Sequence, residues 1–391
     1  MKVAVTTFVF CVTSLLALGL VMLYSASMVM PDKRTHSEVG AHMLQMQVIW
    51  SILGFIACVL VTALDYQHLK RLAIPIFAAS LLLAGLVFAP KIGIGLNGAH
   101  RWIRLPGATF QPSEIVKITL IIMLAWYGDL AQRKMHTFFR GVLIPMVIIG
   151  AALGLIFIEP DRGTTILLAG VAGTLLMFAG CRWLHTVPLA LIAAAGLVYS
   201  LTNDSMRTGR INAWLHPEAH ASGAALQAEQ AKIAIGSGGL TGLGLGDGRQ
   251  KLGFLPEMHS DFIFANIGEE LGLVATLSVI GAFLALAVCG LYIAYRASDR
   301  FGCLLVVGVV SLISYQAIIK ICVVTSLMPN KGLALPFISA GGSSLLAMLI
   351  GVGVVLSVAR QVRPLQFSRS DSDSDADSLS ADNPFTARKA V

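Results

Sequence analysis

The chain has 391 residues, of which 56% are hydrophobic and only 13% are charged, and its formal net charge is +7. Charged residues make up about a quarter of an ordinary soluble globular protein, so this composition excludes that class and indicates an integral membrane protein. The positive charge is spread over the segments between apolar runs. This distribution indicates that the positive charge interacts with anionic lipid headgroups rather than with nucleic acid.

Apolar runs of about 17 to 25 residues, the length that crosses a hydrocarbon core as a helix, recur along the chain. Ten spans are predicted, at residues 3–30, 44–64, 70–89, 113–128, 139–158, 163–181, 184–202, 262–295, 302–328 and 337–359. They predict an all-α, polytopic membrane domain over 1–367, with a large periplasmic loop at 203–262 between the seventh and eighth spans. The acidic low-complexity segment 368–391 cannot bury a core and is predicted to be a disordered cytoplasmic tail.

Ten spans place both chain ends on the same side of a membrane. Basic residues recur in the loops on that side, among them Lys70, Arg133, Arg182, Arg300 and Arg360. The positive-inside rule therefore predicts a multi-pass membrane protein with both termini cytoplasmic, although the basic residues at 33 and 34 lie opposite.

The first group of candidate site residues surrounds the predicted fourth helix. Arg101 lies in the polar loop at 90–112, on the outer side of the bundle. A helix is predicted to begin at Pro112, which would place Glu114 and Lys117 three residues apart on one face just below the surface.

The second group lies where the longest polar loop meets an apolar run. Glu257, His259 and Asp261 all precede the predicted eighth span, and Lys331 lies in a connection rich in Pro and Gly that is predicted to be a re-entrant or broken-helix element. Charges held at the edge of a membrane commonly have a function. Both groups are predicted to face one cavity.

Six motifs, taken together, identify a family. They are Asn97-Gly98-x-x-Arg101-Trp102-Ile103, Gln111-Pro112-Ser113-Glu114-x-x-Lys117, Pro160-Asp161-x-Gly163-Thr164, Ile235-Gly236-Ser237-Gly238-Gly239, Leu255-Pro256-Glu257-x-His259-x-Asp261-Phe262 and Pro336-Phe337-Ile338-Ser339-x-Gly341-Gly342-Ser343-Ser344. In this order they resemble the SEDS family, the shape, elongation, division and sporulation polymerases of the bacterial cell wall. The resemblance covers nearly the whole chain apart from the tail, and it is closer to the family's division member than to its elongation member.

The resemblance implies a peptidoglycan glycosyltransferase that joins lipid II into a growing lipid-linked glycan at the outer face of the cytoplasmic membrane, during septal cell-wall synthesis. It implies a class B penicillin-binding protein, which is a transpeptidase, and other division proteins as partners. Asp261 matches the family's essential acid, and Arg101 and Lys331 match functionally important basic positions. No organic cofactor is implied, whereas a divalent cation, Mg²⁺ or Mn²⁺, stays open.

The chemistry of glycan polymerisation fits these residue types. The reaction needs a base for the 4-hydroxyl of the incoming sugar and positive charge for the departing lipid diphosphate. Asp261 can supply the base, and Arg101 and Lys331, with Lys117 nearby, can supply the positive charge.

Structural explanations for the same side chains stay open. Asp261 could cap the eighth helix, and Arg101 and Lys117 could anchor or snorkel at the membrane interface. Simple pairing of Glu114 with Lys117, a hydrogen-bonding or metal-binding His259, and a loop-shaping Glu257 are the remaining alternatives.

Lys320 lies deep in the predicted ninth span, where the resembled family usually has an uncharged amide. It is predicted to pair with Glu269 or Glu270 inside the bundle, because unpaired charges there are costly. Two other functional classes stay open for the whole chain: a transporter that flips lipid II and a scaffold without enzymatic activity. A transporter usually shows an internal repeat and midplane charges, and the sequence shows no convincing repeat.

Overall fold

The computed structural model describes residues 1–27, 36–89, 93–96, 99–105, 108–188, 191, 195–196, 205–215, 224–250 and 260–362. Residues Met1–Gln361 form one compact unit. Most of the predicted seventh span, Glu257, His259 and the predicted tail at 368–391 lie outside the described residues.

Helices dominate the described part of the chain. They are α1 (Lys2–Ser27), α2 (His36–Ala63), α3 (Tyr66–Gly85), α4 (Pro112–Leu130), α5 (Ile144–Ile158, preceded by a π-helical turn at Phe139–Leu143), α6 (Arg162–Phe178), α7 (Ser205–Leu215), α8 (Ala224–Ser237), α9 (Ile263–Tyr295), α10 (Arg300–Val324) and α11 (Gly342–Arg360). The strands are β1 (Gly93–Leu96), β2 (Ala99–Leu105) and β3 (Ala108–Phe110). The all-α, polytopic architecture predicted from the sequence is confirmed.

Among the described residues, seven helical segments are long and apolar enough to cross a membrane: Lys2–Ser27, His42–Ala63, Tyr66–Phe88, Phe139–Ile158, Ile263–Tyr295, Arg300–Val324 and Gly342–Arg360. Two further predicted spans coincide with α4, which carries three charged residues, and with α6, which has only 17 residues. The predicted count of ten spans is therefore not confirmed.

The centre of the bundle is α10. It packs against α4, α6, α9 and α11, and 72% of its membrane-crossing part is buried. Outer helices instead expose apolar side chains such as Phe55 and Leu82, as expected where lipid is the solvent. Lys320, which lies in the membrane-crossing part of α10, is accordingly buried inside the protein.

A small antiparallel sheet, in the order β1-β2-β3, replaces the polar loop predicted at 90–112. Ile103 in β2 pairs with Gly93 on one side and with Phe110 on the other. Because β2 leads through β3 directly into α4, the sheet fixes Arg101 beside the start of that helix.

The glycine-rich segment 238–250, here called the clamp loop, is held by the first turns of α9. The carboxylate of Glu269 accepts backbone N–H bonds from Arg249 (2.7 Å) and Gln250 (3.2 Å), and that of Glu270 accepts from Gly246 (3.0 Å) and from the hydroxyl of Ser25. The predicted pairing of these glutamates with Lys320 is therefore wrong. Backbone N–H groups of the clamp loop, rather than a buried cation, bind both acids, and Oε2 of Glu269 has no hydrogen-bond partner in the described structure.

Gly272 allows α9 to meet the clamp loop. Its backbone has φ +77° and ψ −172°, a combination that essentially only glycine adopts. A Cβ there would contact the backbone nitrogen of Gly242 and would lie 2.6 Å from the carbonyl oxygen of Leu240. The kink in α9 and the close approach of the loop therefore require the same residue.

We expect Gly272→Ala to destabilise the protein by about 1–3 kcal/mol or more, because alanine is strained in this conformation and collides with the loop. The matched control is Gly281→Ala in the same helix, where a Cβ meets nothing within 4 Å. The control should be neutral or stabilising, since alanine favours a helix. Thermal unfolding of both variants in detergent, at one scan rate, tests this, and equal melting temperatures would contradict it.

Candidate active site

Asp261 forms an ion pair with Lys320. The Nζ atom of Lys320 lies 2.8 Å from Oδ1 of Asp261, and the side chains are 1% and 30% exposed respectively. Helix α9 begins at Ile263, after Phe262, without a capping bond from any side chain. The capping explanation for Asp261 is therefore wrong, and the carboxylate is held from α10 instead.

The irregular connection between α10 and α11, residues 325–341, is here called the buried loop. Leu335 and Ile338 in it are almost fully buried, and side chains satisfy its backbone. The amide of Gln316 in α10 donates to the carbonyl of Ala334 (2.8 Å), and the N–H of Gly341 donates to the amide oxygen of Gln47 in α2 (3.2 Å). The segment is thus an irregular backbone supported by protein, as membrane depth requires.

The buried loop borders Asp261. A Cβ built on Gly332 would lie 3.9 Å from Oδ2 of Asp261, the carboxylate oxygen that Lys320 does not bind. The neighbouring residue, Lys331, is half-buried, and burial lowers the pKa of its ammonium group. Within the described ranges, no carboxylate pairs with that ammonium.

Arg101 binds the turn between α5 and α6, which consists of residues 159–161. Its guanidinium donates to the carbonyl oxygens of Glu159 (2.9 Å) and Pro160 (2.6 Å), and it lies 3.8 Å from a carboxylate oxygen of Asp161. Arg101 is therefore bound to protein and is not a lipid-facing anchor. Asp161 caps α6 by accepting the backbone N–H of Thr164 (3.0 Å).

Glu159 was not identified from the sequence. Its side chain is fully buried, and neither carboxylate oxygen has a hydrogen-bond partner in the described structure. Burial first, and then the charge of Asp161, raise the pKa of Glu159 to about 7, against an opposing effect of Arg101. This acid therefore titrates close to neutral pH beside the guanidinium.

Glu114 and Lys117 form a buried pair in α4, with Nζ 2.8 Å from Oε1. Lys117 is 1% exposed, so the snorkelling explanation is wrong. The second oxygen of Glu114 is buried and unpartnered in the described part of the chain. A contact of this pair with substrate stays a prediction.

The buried loop, which borders Asp261, also contacts the turn that binds Arg101. A Cβ on Gly163, at the start of α6, would lie 3.3 Å from Cγ of Leu333, so the turn that holds Arg101 adjoins the loop that carries Lys331. On the other side, Trp214 donates to the carbonyl of Ser326 (2.8 Å) and Asn330 donates to Gln227 (3.0 Å). Helices α7 and α8, which lie in the predicted periplasmic loop, thus also contact the buried loop.

No group of three or more His, Cys, Asp or Glu side chains that could hold a metal occurs among the described residues. The oxygen Oδ1 of Asp261 is bound to Lys320, and His259 lies outside the described ranges. The divalent cation therefore stays a prediction.

Comparisons with known proteins agree with this geometry. The family model described as Cell cycle protein, FTSW/RODA/SPOVE, matches residues 6–364. A relative from Trichlorobacter lovleyi, named probable peptidoglycan glycosyltransferase FtsW, is 42% identical over 348 residues, which are 89% of this chain and 91% of the relative. Stage V sporulation protein E of Bacillus subtilis is 36% identical over 349 residues, covering 89% and 95%.

Two solved structures are similar as well. One is a chain from a peptidoglycan synthase complex that coordinates polymerization and crosslinking, with TM-score 0.74, 27% identity and coverage of 90% of this chain and 96% of that one. The other is the rod shape determining protein RodA of Thermus thermophilus, with TM-score 0.66, 27% identity and coverage of 91% and 97%. The chain therefore belongs to the FtsW/RodA/SpoVE family of multi-pass membrane proteins, the SEDS family.

Proposed function

We propose that this protein is a peptidoglycan glycosyltransferase that polymerises lipid II into glycan strands for the division septum. The observation that carries the proposal is Asp261, a partly exposed carboxylate at the start of α9, beside the loop that bears Lys331. The names of the relatives, among them several peptidoglycan glycosyltransferases named FtsW, support the same reaction and the division branch of the family.

In the proposed reaction, Asp261 acts as the general base. The O–H bond of the acceptor sugar's 4-hydroxyl breaks as its proton moves to the carboxylate. The oxygen uses the freed electron pair to bond to C1 of the donor sugar, and the bond from C1 to the lipid diphosphate breaks with its electron pair remaining on the diphosphate. The proton then leaves Asp261 for water through the exposed part of the side chain.

Lys331 is the cation best suited to the leaving diphosphate. Of the four cations at the site, Lys117, Lys320 and Arg101 each lie within 4 Å of a carboxylate oxygen, whereas Lys331 has no acid partner in the described part of the chain. A half-buried ammonium without a counter-charge gains more from an anionic ligand than a paired one does. A divalent cation on the diphosphate would share this role.

The proposed orientation of the protein in the membrane rests on the charges at the end of the bundle opposite Asp261. Lys70 pairs with Asp129 there (2.6 Å), Arg300 donates to the carbonyl of Ala179, and Arg360 donates to that of Ala63. By the positive-inside rule this basic end is cytoplasmic, so Asp261 faces the periplasm. We further propose that a class B penicillin-binding protein supplies the transpeptidase, which the similarity to a chain of a synthase complex supports.

Two rival functions receive less support. A lipid II transporter would place its binding charges near the membrane midplane, whereas Asp261, Lys331 and Arg101 all lie at one end of the helices. A scaffold without activity gives no reason for a partly exposed carboxylate supported by a buried lysine.

We expect Asp261→Asn to abolish polymer formation, because an amide cannot accept the proton. Purified protein in liposomes, with and without its penicillin-binding protein, is given labelled lipid II and Mg²⁺ or Mn²⁺, and products are sized on a gel. The control, Asp247→Asn, changes an exposed acid of the clamp loop and should keep activity. Transfer of unaltered lipid II across the membrane without polymer would instead identify a transporter, and no activity of either kind would identify a scaffold.

We expect Lys331→Gln to have opposite effects on activity and stability. Loss of a charge-assisted contact should lower kcat/KM for lipid II about tenfold to a hundredfold. The melting temperature of the apo protein should rise, because burial disfavours the ammonium. Lys232→Gln, at an exposed lysine on α8, is the control and should change neither value. A lower melting temperature with full activity would show that Lys331 is only structural.

We expect the stability of the protein to depend on pH through Glu159. Its pKa is raised by folding from its ordinary value of 4.5 to about 7, so the folded state favours the neutral acid and loses stability as pH rises through this window. The melting temperature of Glu159→Gln minus that of the wild type should be near zero below pH 4.5, increase up to about pH 7 and then level off. Glu229→Gln, at an exposed acid on α8, should show no such rise. A difference that does not vary with pH would contradict this.

A further inference from the structure

The two side chains of the ion pair between Asp261 and Lys320 differ in their exposure to solvent. Lys320 is 1% exposed, whereas the side chain of Asp261 is 30% exposed. The ammonium also lies 5.7 Å from the centre of the Phe262 ring, and it projects from α10, whose membrane-crossing part is 72% buried. The lysine therefore has no access to substrate, and the part of the pair that faces the site is the carboxylate.

Stability alone does not account for this lysine. Burying an ammonium costs several kcal/mol, and a single carboxylate that is itself partly solvated returns only part of that cost. Residues of similar size without charge, such as methionine, would fill the same space in α10. The benefit of Lys320 is therefore to be sought in what it does to Asp261.

Lys320 binds one carboxylate oxygen and leaves the other. Its Nζ donates to Oδ1, while Oδ2 faces the buried loop, close to the backbone of Gly332. A carboxylate otherwise rotates about its terminal torsion and presents either oxygen. The bond from α10 removes that freedom and leaves Oδ2 as the oxygen free to accept a proton.

We propose that Lys320 is a positioning residue that fixes Asp261 so that Oδ2 is the oxygen that accepts the proton from the acceptor sugar. This inference rests on the proposed function, in which Asp261 is the base, and it adds the residue that orients the base and the atom that reacts. The proton moves from the 4-hydroxyl to Oδ2 and from there to water, while Lys320 keeps its own protons throughout.

The charges around the pair come from three elements in the described structure. Lys320 extends from α10 and Lys331 lies in the buried loop. On α9 itself, Glu269 and Glu270 lie two turns further along and are bound to the clamp loop. Lys320 is thus the cation that contacts Asp261 directly.

The test compares Lys320→Met with Lys320→Gln in the liposome assay. Methionine removes both charge and hydrogen bond, so kcat should fall at least about tenfold while KM for lipid II changes less than about threefold. Glutamine retains a hydrogen-bond donor without the charge, so it should keep more of the wild-type kcat than methionine does. Lys232→Met, at an exposed lysine, should match the wild type.

The possible outcomes separate this inference from the proposed function. If the wild type makes polymer and Asp261→Asn does not, but both Lys320 variants keep the kcat of the wild type, Lys320 is merely structural and the inference is overturned. If the wild type and Asp261→Asn behave alike, the proposed function itself fails. If Lys320→Met does not fold, Lys320→Gln alone decides: a lower kcat at an unchanged KM supports the inference, and the kcat of the wild type overturns it.

Discussion

The constraint on which the rest of the structure depends is that irregular backbone within a membrane bundle must find polar partners inside the protein. The buried loop and the clamp loop both leave helical geometry, and each is satisfied by side chains from neighbouring helices. Gln316 and Gln47 support the first, and Glu269 and Glu270 support the second. These amides and carboxylates hold both non-helical segments in the bundle, and the buried loop is the one that borders Asp261.

That constraint separates the charged residues into two groups. Arg101 binds backbone carbonyls of the turn before α6, and Asp161 caps that helix, so both hold the walls of the site. Asp261 and Lys331 form no bond to backbone groups in the described structure. A side chain that holds a loop is not available to move protons. We therefore assign proton transfer to Asp261 and binding of the diphosphate to Lys331 in the proposed reaction, and Arg101 can add a positive field from its fixed position.

The sequence predicted the all-α, polytopic architecture, because the length of the apolar runs reports on it. It did not predict the partner of Lys320. The lysine and Asp261 are 59 residues apart, and which buried acid an intramembrane cation meets depends on helix rotation and tilt, which composition does not encode. The sheet was missed because its strands are short and interrupted by glycine. Glu159 was missed because its raised pKa arises first from burial and then from the charge of Asp161, and burial of a polar residue in a turn is not visible in the sequence.

The arrangement also explains how a carboxylate base and several cations can occupy one site while one oxygen of the carboxylate stays available. Lys320 pairs with Asp261 from inside the bundle, so the charge of the carboxylate is balanced on its buried side while its second oxygen faces the buried loop. Lys331 lies in the same loop and has no acid partner among the described residues. In the proposed reaction, an anionic lipid-linked sugar would therefore meet a cation without a described counter-charge near a carboxylate whose repulsion is reduced by Lys320. The lysine on α10 would then serve binding as well as proton transfer, by allowing a negatively charged base to remain beside a negatively charged substrate.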